Sequence, residues 1–151
     1  KFLRINLTTY VSLMAPFICY AHAWGRTGCF MAGCCHGLPT DCMIGIQFPK
    51  NSIPCKMHGF EPVHATQLYE MATLIIIGLS AQFIIKYKYR FCFYLISYGF
   101  GRFLIEFLRG DERGTFSLIP NFSPSQHLSL VFILTGGLLG ISLVKKPPGA
   151  D

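Results

Sequence analysis

Apolar residues gather into four runs along this chain, at 7–23, 67–85, 91–107 and 125–144, each closed by polar or basic positions. Runs of this length approach the roughly 20 residues a helix needs to cross a hydrocarbon core of about 30 Å. The run at 67–85 is the clearest: its centre, Thr73-Leu74-Ile75-Ile76-Ile77-Gly78-Leu79, carries no charge, and Lys86, Lys88 and Arg90 follow at once. The first run is shorter, holds Pro16, and ends at His22 and Trp24, where a tryptophan fits an interfacial belt. The run at 91–107 is unusual, because it contains Arg102 and Glu106, four apart and so on one helix face. Ser123 or Ser125 is a candidate N-cap for the last run. Between the first two runs, Pro39, Pro49, Pro54 and Pro62 forbid a long helix and leave short strand or turn pieces. The pattern predicts an all-α integral membrane protein of about four transmembrane helices. It forms a single membrane domain over 1–151, with outer loops at 25–66 and 109–124, the first long and irregular.

Composition agrees. The 151 residues are 52% hydrophobic and only 13% charged, against roughly 25% charged in a soluble domain. Net charge is +6, which in a soluble protein would point to nucleic acid. Here the basic residues lie at the ends of apolar runs and read as topology signals and contacts to anionic lipid, so no nucleic-acid partner is expected. With four spans, Lys1 and Arg4, then Lys86 to Arg90, then Lys145 and Lys146 fall on one side, the cytoplasmic one. The loop after residue 25 and the polar connection bearing Arg109, Asp111, Glu112 and Arg113 then share the outer face. No secretory signal with a cleavage site is present, so insertion is expected to rely on the apolar helices.

One stretch stands out against this background. Residues 25–37, Gly-Arg-Thr-Gly-Cys-Phe-Met-Ala-Gly-Cys-Cys-His-Gly, hold four glycines, three cysteines, one arginine and one histidine. Glycine in a helix interior costs about 1 kcal/mol relative to alanine, so an irregular segment is expected here. Glycines at this density let the backbone approach another group closely. With Arg26 between Gly25 and Gly28, the freed N–H groups suggest an anion cradle. The alternative is a tight turn between membrane helices built from small residues, which has no need of a permanent charge.

An ionisable residue inside an apolar run is costly and marks a partner or a cavity. Arg102 and Glu106 are such residues. Arg102 and Arg26, the latter beside glycine-rich backbone, are expected to meet near the outer leaflet, where guanidinium groups bind phosphate bidentately. The natural ligand there is a phospholipid headgroup. Tyr98 lies one turn before Arg102 on the same face, placed to donate to a phosphate or glycerol oxygen. The bland alternatives are an Arg102–Glu106 pair that merely neutralises both charges and an ordinary interfacial tyrosine. Cys29, Cys34, Cys35 and Cys42, with His36, His58 and His64, offer a rival chemistry. Their spacing lacks the paired ligands two to four residues apart of a structural zinc site, so no metal and no cofactor are expected. For these four cysteines, disulfide formation, tight packing and function stay open; Cys19 and Cys92 read as apolar packing.

Several ordered pieces carry a resemblance. They are Gly25-Arg26-x-Gly28-Cys29-Phe30-x-x-Gly33, Gly37, Pro62-Val63-His64-Ala65-Thr66-Gln67-Leu68-Tyr69-Glu70, Tyr98-Gly99-x-x-Arg102-Phe103-x-x-Glu106-Phe107-x-Arg109, and Ser123-Pro124-Ser125-Gln126. Together they resemble prolipoprotein diacylglyceryl transferase, in a divergent branch with adjacent cysteines where many members carry asparagine at Cys29. The resemblance implies a multi-pass enzyme of the bacterial cytoplasmic (inner) membrane with its active site toward the outer face. It implies transfer of a diacylglyceryl group from phosphatidylglycerol to the lipobox cysteine of a prolipoprotein signal peptide, with membrane lipids as surroundings. Arg26, Arg102 and Tyr98 become catalytic candidates; Gly25, Gly28, Cys29, Gly37, Glu106 and Arg109 become substrate-binding candidates, the last two bracing Arg102 and the outer loop. Members are longer, so the chain is expected to be the C-terminal part of such an enzyme or a shortened homologue. The rival readings are an outer-face thiol redox or metal-binding membrane protein, a non-catalytic module binding anionic lipid, and a structural membrane subunit.

Overall fold

The computed structural model describes residues 7–110 and 122–145, and is mostly helical. Helix α1 spans Leu7–Ala32, a short α2 spans Ile53–His58, α3 spans Thr66–Phe83, α4 spans Arg90–Ile105 and α5 spans Pro124–Lys145. Strands β1, Gly45–Ile46, and β2, Val63–His64, pair antiparallel, with Gly45 opposite His64 and Ile46 opposite Val63. Single 3₁₀ turns precede and follow α4 at Tyr87–Tyr89 and Glu106–Leu108. Asp111, Glu112 and Arg113 of the second loop, with Lys1, Arg4 and Lys146 of the charge pattern, lie outside the described residues.

The four long helices run up, down, up and down. The C-terminal end of α1 is tied to the start of α3 where Thr66 Oγ1 donates to Cys35 O at 2.6 Å and Gln67 Nε2 donates to Cys34 O at 2.7 Å. At the other end, Ser12 Oγ of α1 donates to Lys88 O in the turn before α4. The end of α4 returns to the start of α5 through Arg102 Nη2 and Ser125 Oγ, 3.0 Å apart. Lys86, Lys88 and Arg90 therefore sit at one end of the bundle, and Arg102 and Glu106 at the other. The core is narrow: Ala15, Cys19 and Ala23 of α1 meet Leu74 and Ile77 of α3 and Tyr94, Leu95 and Tyr98 of α4. Two apolar segments, Tyr87–Leu108 and Pro124–Lys145, are long and apolar enough to cross a membrane. Helices α1 and α3 fall short of that measure; α1 carries Thr8, Thr9, Ser12, His22 and Arg26, and α3 carries Gln67, Glu70 and Gln82.

One sequence expectation is corrected here. The helix does not stop at residue 23, and Gly25 to Ala32 are its last two turns rather than an irregular cradle. The glycine penalty is local and about 1 kcal/mol per site. Docking of α1 along α3, with Cys19 and Ala23 buried, outweighs it. The backbone N–H groups of this stretch are consequently spent inside the helix. The turn comes at Gly33, φ +69°, where Gly33 N donates to Phe30 O and Cys34 N donates to Cys29 O, a left-handed helix terminus. At the start of α5 the cap is Ser123, not Ser125. Its Oγ accepts from Gln126 N while Gln126 Oε1 accepts from Ser123 N, a reciprocal capping box with Pro124 at the first helical position.

Close approach of α4 and α5 depends on glycine. A Cβ on Gly99 would lie 2.8 Å from Ser129 O and 2.9 Å from Ile133 Cγ1, whereas one on Gly137 meets nothing within 4 Å. Gly99→Ala is expected to lower stability in detergent by about 1–3 kcal/mol, since a facing carbonyl cannot yield as a side chain does. Gly137→Ala should be neutral or slightly stabilising. Thermal unfolding of the two variants side by side checks the pair.

Candidate active site

The centre of the site is a buried carboxylate. Glu70, on the second turn of α3, is 2% exposed. Its Oε1 lies 2.6 Å from Arg26 Nη2 of α1 and accepts a hydrogen bond from the Tyr98 hydroxyl of α4 at 2.7 Å. Arg102 Nε approaches the same oxygen at 3.9 Å. Three helices are thus drawn to one atom. A buried, unpaired carboxylate is prohibitively costly, so a Glu in this position requires cationic and donor neighbours.

A second carboxylate continues the network outward. Glu106 Oε2 lies 2.8 Å from Arg102 Nη2, and its Oε1 accepts from Ser123 Oγ at 2.7 Å. Arg109 Nε stands 3.8 Å from Glu106 Oε2. Around this core the ion pairs join Arg26, Arg102 and Arg109 to Glu70 and Glu106, three cations to two anions, an excess of one positive charge among these five. Arg26 Nε and Arg102 Nη1 are buried and have no hydrogen-bond partner among the described residues. An unsatisfied buried donor of this kind costs about 1–3 kcal/mol, more when charged, and an incoming acceptor anion removes that cost.

Such an anion has somewhere to go. A cavity of about 340 Å³ opens between α1, α4 and α5, lined by both arginines with His22, Tyr98, Ser125 and Ser129 on its polar side and Tyr94, Leu128 and Phe132 on its apolar side. The arrangement of donors on one wall and aromatic and aliphatic groups on the other suits an amphiphile with an anionic head. His22 Nε2 is 3.5 Å from the Tyr98 hydroxyl, and the two rings meet edge to face.

The site residues expected from sequence divide into two groups. Arg26, Tyr98 and Arg102 line one cavity, and Glu106 and Arg109 follow behind Arg102. Tyr98, however, directs its proton to Glu70 rather than into the cavity, because the carboxylate is the stronger acceptor within reach. Gly25, Gly28, Cys29 and Gly37 are outside the cavity lining. Gly25 and Gly28 face open space at their missing Cβ positions. Gly37 is a packing point instead: a Cβ there would lie 2.5 Å from His64 Cβ and 2.6 Å from Leu108 O. Its N–H donates to His64 O, it bridges to Arg109, and Leu38 N donates to Leu108 O. Close backbone contact at Gly37 therefore fastens the loop to the end of α4, beside Arg109.

Glu70, His22, Ser125 and Ser129 are the residues that sequence reasoning missed. For Glu70 a signal existed: it is the one carboxylate in the run at 67–85, and a lone charge in an apolar helix demands partners elsewhere. The thiols show a further departure. Spacing argued against a ligand set, yet the sulfurs of Cys29, Cys34 and Cys35 all lie within 4.8 Å of one another; Cys42 is exposed and outside the group. Burial, with Cys35 alongside, pushes the Cys34 thiol up to about 11.

Comparison with known proteins gives the lineage of this arrangement. The family described as prolipoprotein diacylglyceryl transferase matches residues 1–142. The phosphatidylglycerol–prolipoprotein diacylglyceryl transferase of Clostridium tetani is 39% identical over 134 residues, 83% of this chain and 50% of the relative. The enzyme of that name numbered 2 in Clostridium perfringens is 37% identical over 142 residues, 89% of this chain and 51% of the relative. One from Prochlorococcus marinus is 30% identical over 155 residues, 94% of this chain and 52% of the relative. The chain spans about half the length of the curated relatives it matches. No solved structure matches it. With a family match over nearly its whole length, this chain belongs to the prolipoprotein diacylglyceryl transferase family.

Proposed function

We propose that this chain holds the lipid phosphate in the transfer of a diacylglyceryl group from phosphatidylglycerol to the lipobox cysteine of a prolipoprotein. The observation that carries the reading is the convergence of Arg26 and Arg102, from two helices, on one cavity, with Arg26 Nε and Arg102 Nη1 buried and without a hydrogen-bond partner among the described residues. The names of the relatives support the reaction; the geometry supports the role of the arginines within it.

The surroundings fit a bilayer. Phe17, Trp24, Phe83, Leu134, Leu138 and Val144 all face outward from the bundle, an arrangement suited to lipid rather than water. In this reading the chain is one membrane domain of about four spans in a bacterial inner membrane. Lys86, Lys88, Arg90 and Lys145 sit on the cytoplasmic side, and the cavity opens toward the outer face.

The chemistry is a displacement at carbon. The acceptor cysteine gives up its proton, which the departing phosphate monoester finally takes up, and its thiolate attacks the glycerol carbon that bears the phosphate ester. A C–S bond forms, the C–O bond to phosphate breaks, and glycerol phosphate departs with the bonding electrons. Negative charge on the leaving phosphate grows as the bond breaks. Guanidinium groups fixed in advance bind that charge more strongly in the transition state than in the substrate, which lowers the barrier. Glu70 keeps the two arginines close without mutual repulsion. Tyr98 orients Glu70, and Glu106 holds the far edge of Arg102.

Transfer is read with labelled phosphatidylglycerol and a lipobox peptide, using the native protein in membranes. Arg26→Ala and Arg102→Ala are each expected to lower the rate by on the order of 100- to 1000-fold. Near-normal turnover in both ends the assignment. Arg102→Lys should fail as well, because a point charge reproduces neither the fork nor the contacts to Ser125 and Glu106.

A further inference from the structure

We infer that Cys29, Cys34 and Cys35 form a three-thiolate site for a soft d¹⁰ metal ion such as Zn²⁺, separate from the arginine cavity. Cys29 belongs to the last turn of α1. The chain then reverses through Gly33, φ +69°, and Cys35, φ 63°. That reversal sets Cys34 Sγ 3.6 Å from Cys29 O and brings all three sulfurs within 4.8 Å of one another. A positive φ on a residue with a side chain is uncommon and unfavourable, and persists only where the surroundings enforce it. Here they do. Thr66 Oγ1 grips Cys35 O and Gln67 Nε2 grips Cys34 O, both from the start of α3. The dipeptide is held by its carbonyls, and that hold keeps the Cys34 and Cys35 sulfurs in the same small volume as that of Cys29.

The donor set selects the ligand. Zn–S bonds of about 2.3 Å set the sulfurs of one coordination sphere roughly 3.8–4.0 Å apart, so the trio needs to contract by about 1 Å at most. No carboxylate belongs to the group, which disfavours Mg²⁺ and Ca²⁺. Three protein ligands leave one position of a tetrahedral ion for water or a further donor. A disulfide would use two sulfurs and leave the third beside it. On binding, each ligand releases its proton to solvent and the ion takes its place. The site would tie the end of α1 to the loop that Gly37 fastens beside Arg109, bracing the outer end of the bundle. The inference does not depend on diacylglyceryl transfer.

The test uses the purified, reduced chain in detergent. Zn²⁺ is titrated against a chromophoric chelator, and Cd²⁺ substitution is followed by its thiolate-to-metal charge-transfer absorption. One ion per chain is expected. Cys29→Ser, Cys34→Ser and Cys35→Ser should each weaken binding by more than the 10- to 100-fold typical of losing an outer-shell partner, with Cys42→Ser unchanged. In the unsubstituted chain, Zn²⁺ should protect these three cysteines, and not Cys42, from alkylation mapped by mass spectrometry. Absence of the charge-transfer band, equal alkylation with and without Zn²⁺, or a Cys29–Cys34 disulfide in protein taken directly from membranes overturns the proposal.

Discussion

A single carboxylate oxygen organises this molecule. Glu70 Oε1 is the point at which α1, α3 and α4 meet through charge, with Arg26 at 2.6 Å, the Tyr98 hydroxyl at 2.7 Å and Arg102 Nε at 3.9 Å. Two guanidinium groups brought this close in a low-dielectric setting repel strongly unless an anion lies between them. Glu70 supplies that anion from within the fold, which lets both cations sit beside a cavity before any ligand arrives. Buried ion pairs contribute little net stability, because desolvation offsets most of the attraction. The geometry they hold is specific: Arg26 of α1 and Tyr98 of α4 both reach the same oxygen of Glu70 on α3.

The remainder of the fold holds the ends of those helices in register. The turn at Gly33 brings Cys34 and Cys35 over the start of α3, where Thr66 and Gln67 take their carbonyls. The loop then passes Gly37, whose missing Cβ admits His64 and Leu108 at contact distance. The capping box of Ser123 and Gln126 starts α5 beside Glu106, and Ser123 Oγ serves both the cap and that carboxylate. These contacts are made by backbone, by the hydroxyls of Thr66 and Ser123, and by the amide side chains of Gln67 and Gln126.

Much of the bundle was legible in the pattern of apolar positions. The runs at 67–85, 91–107 and 125–144 correspond to α3, α4 and α5 within a few residues. Arg102 could be singled out because a charge in an apolar helix is expensive, Tyr98 because it lies one turn before Arg102 on the same face, and Arg26 because it sits among glycines where a plain turn needs no permanent charge. What could not be read was partnership. Glu70 shares its oxygen with residues on two other helices, and nothing local to it names them. The extension of α1 through Gly25 and Gly28 was missed because propensity is summed locally, whereas docking along α3 is a tertiary effect. The cysteine trio was missed for a related reason: its spacing is poor for a chelate on a regular helix or strand, and only the left-handed turn makes it compact.

The claim that Glu70 is the bridge is tested most directly by a double-mutant cycle. Unfolding free energies in detergent are measured for Arg26→Gln, Glu70→Gln and the combination. Residues that share a buried contact should couple by about 2–3 kcal/mol, with the double variant less damaged than the sum of its parts. Additivity within about 0.5 kcal/mol would mean that Arg26 and Glu70 act independently, and the two arginines would then have no common anchor.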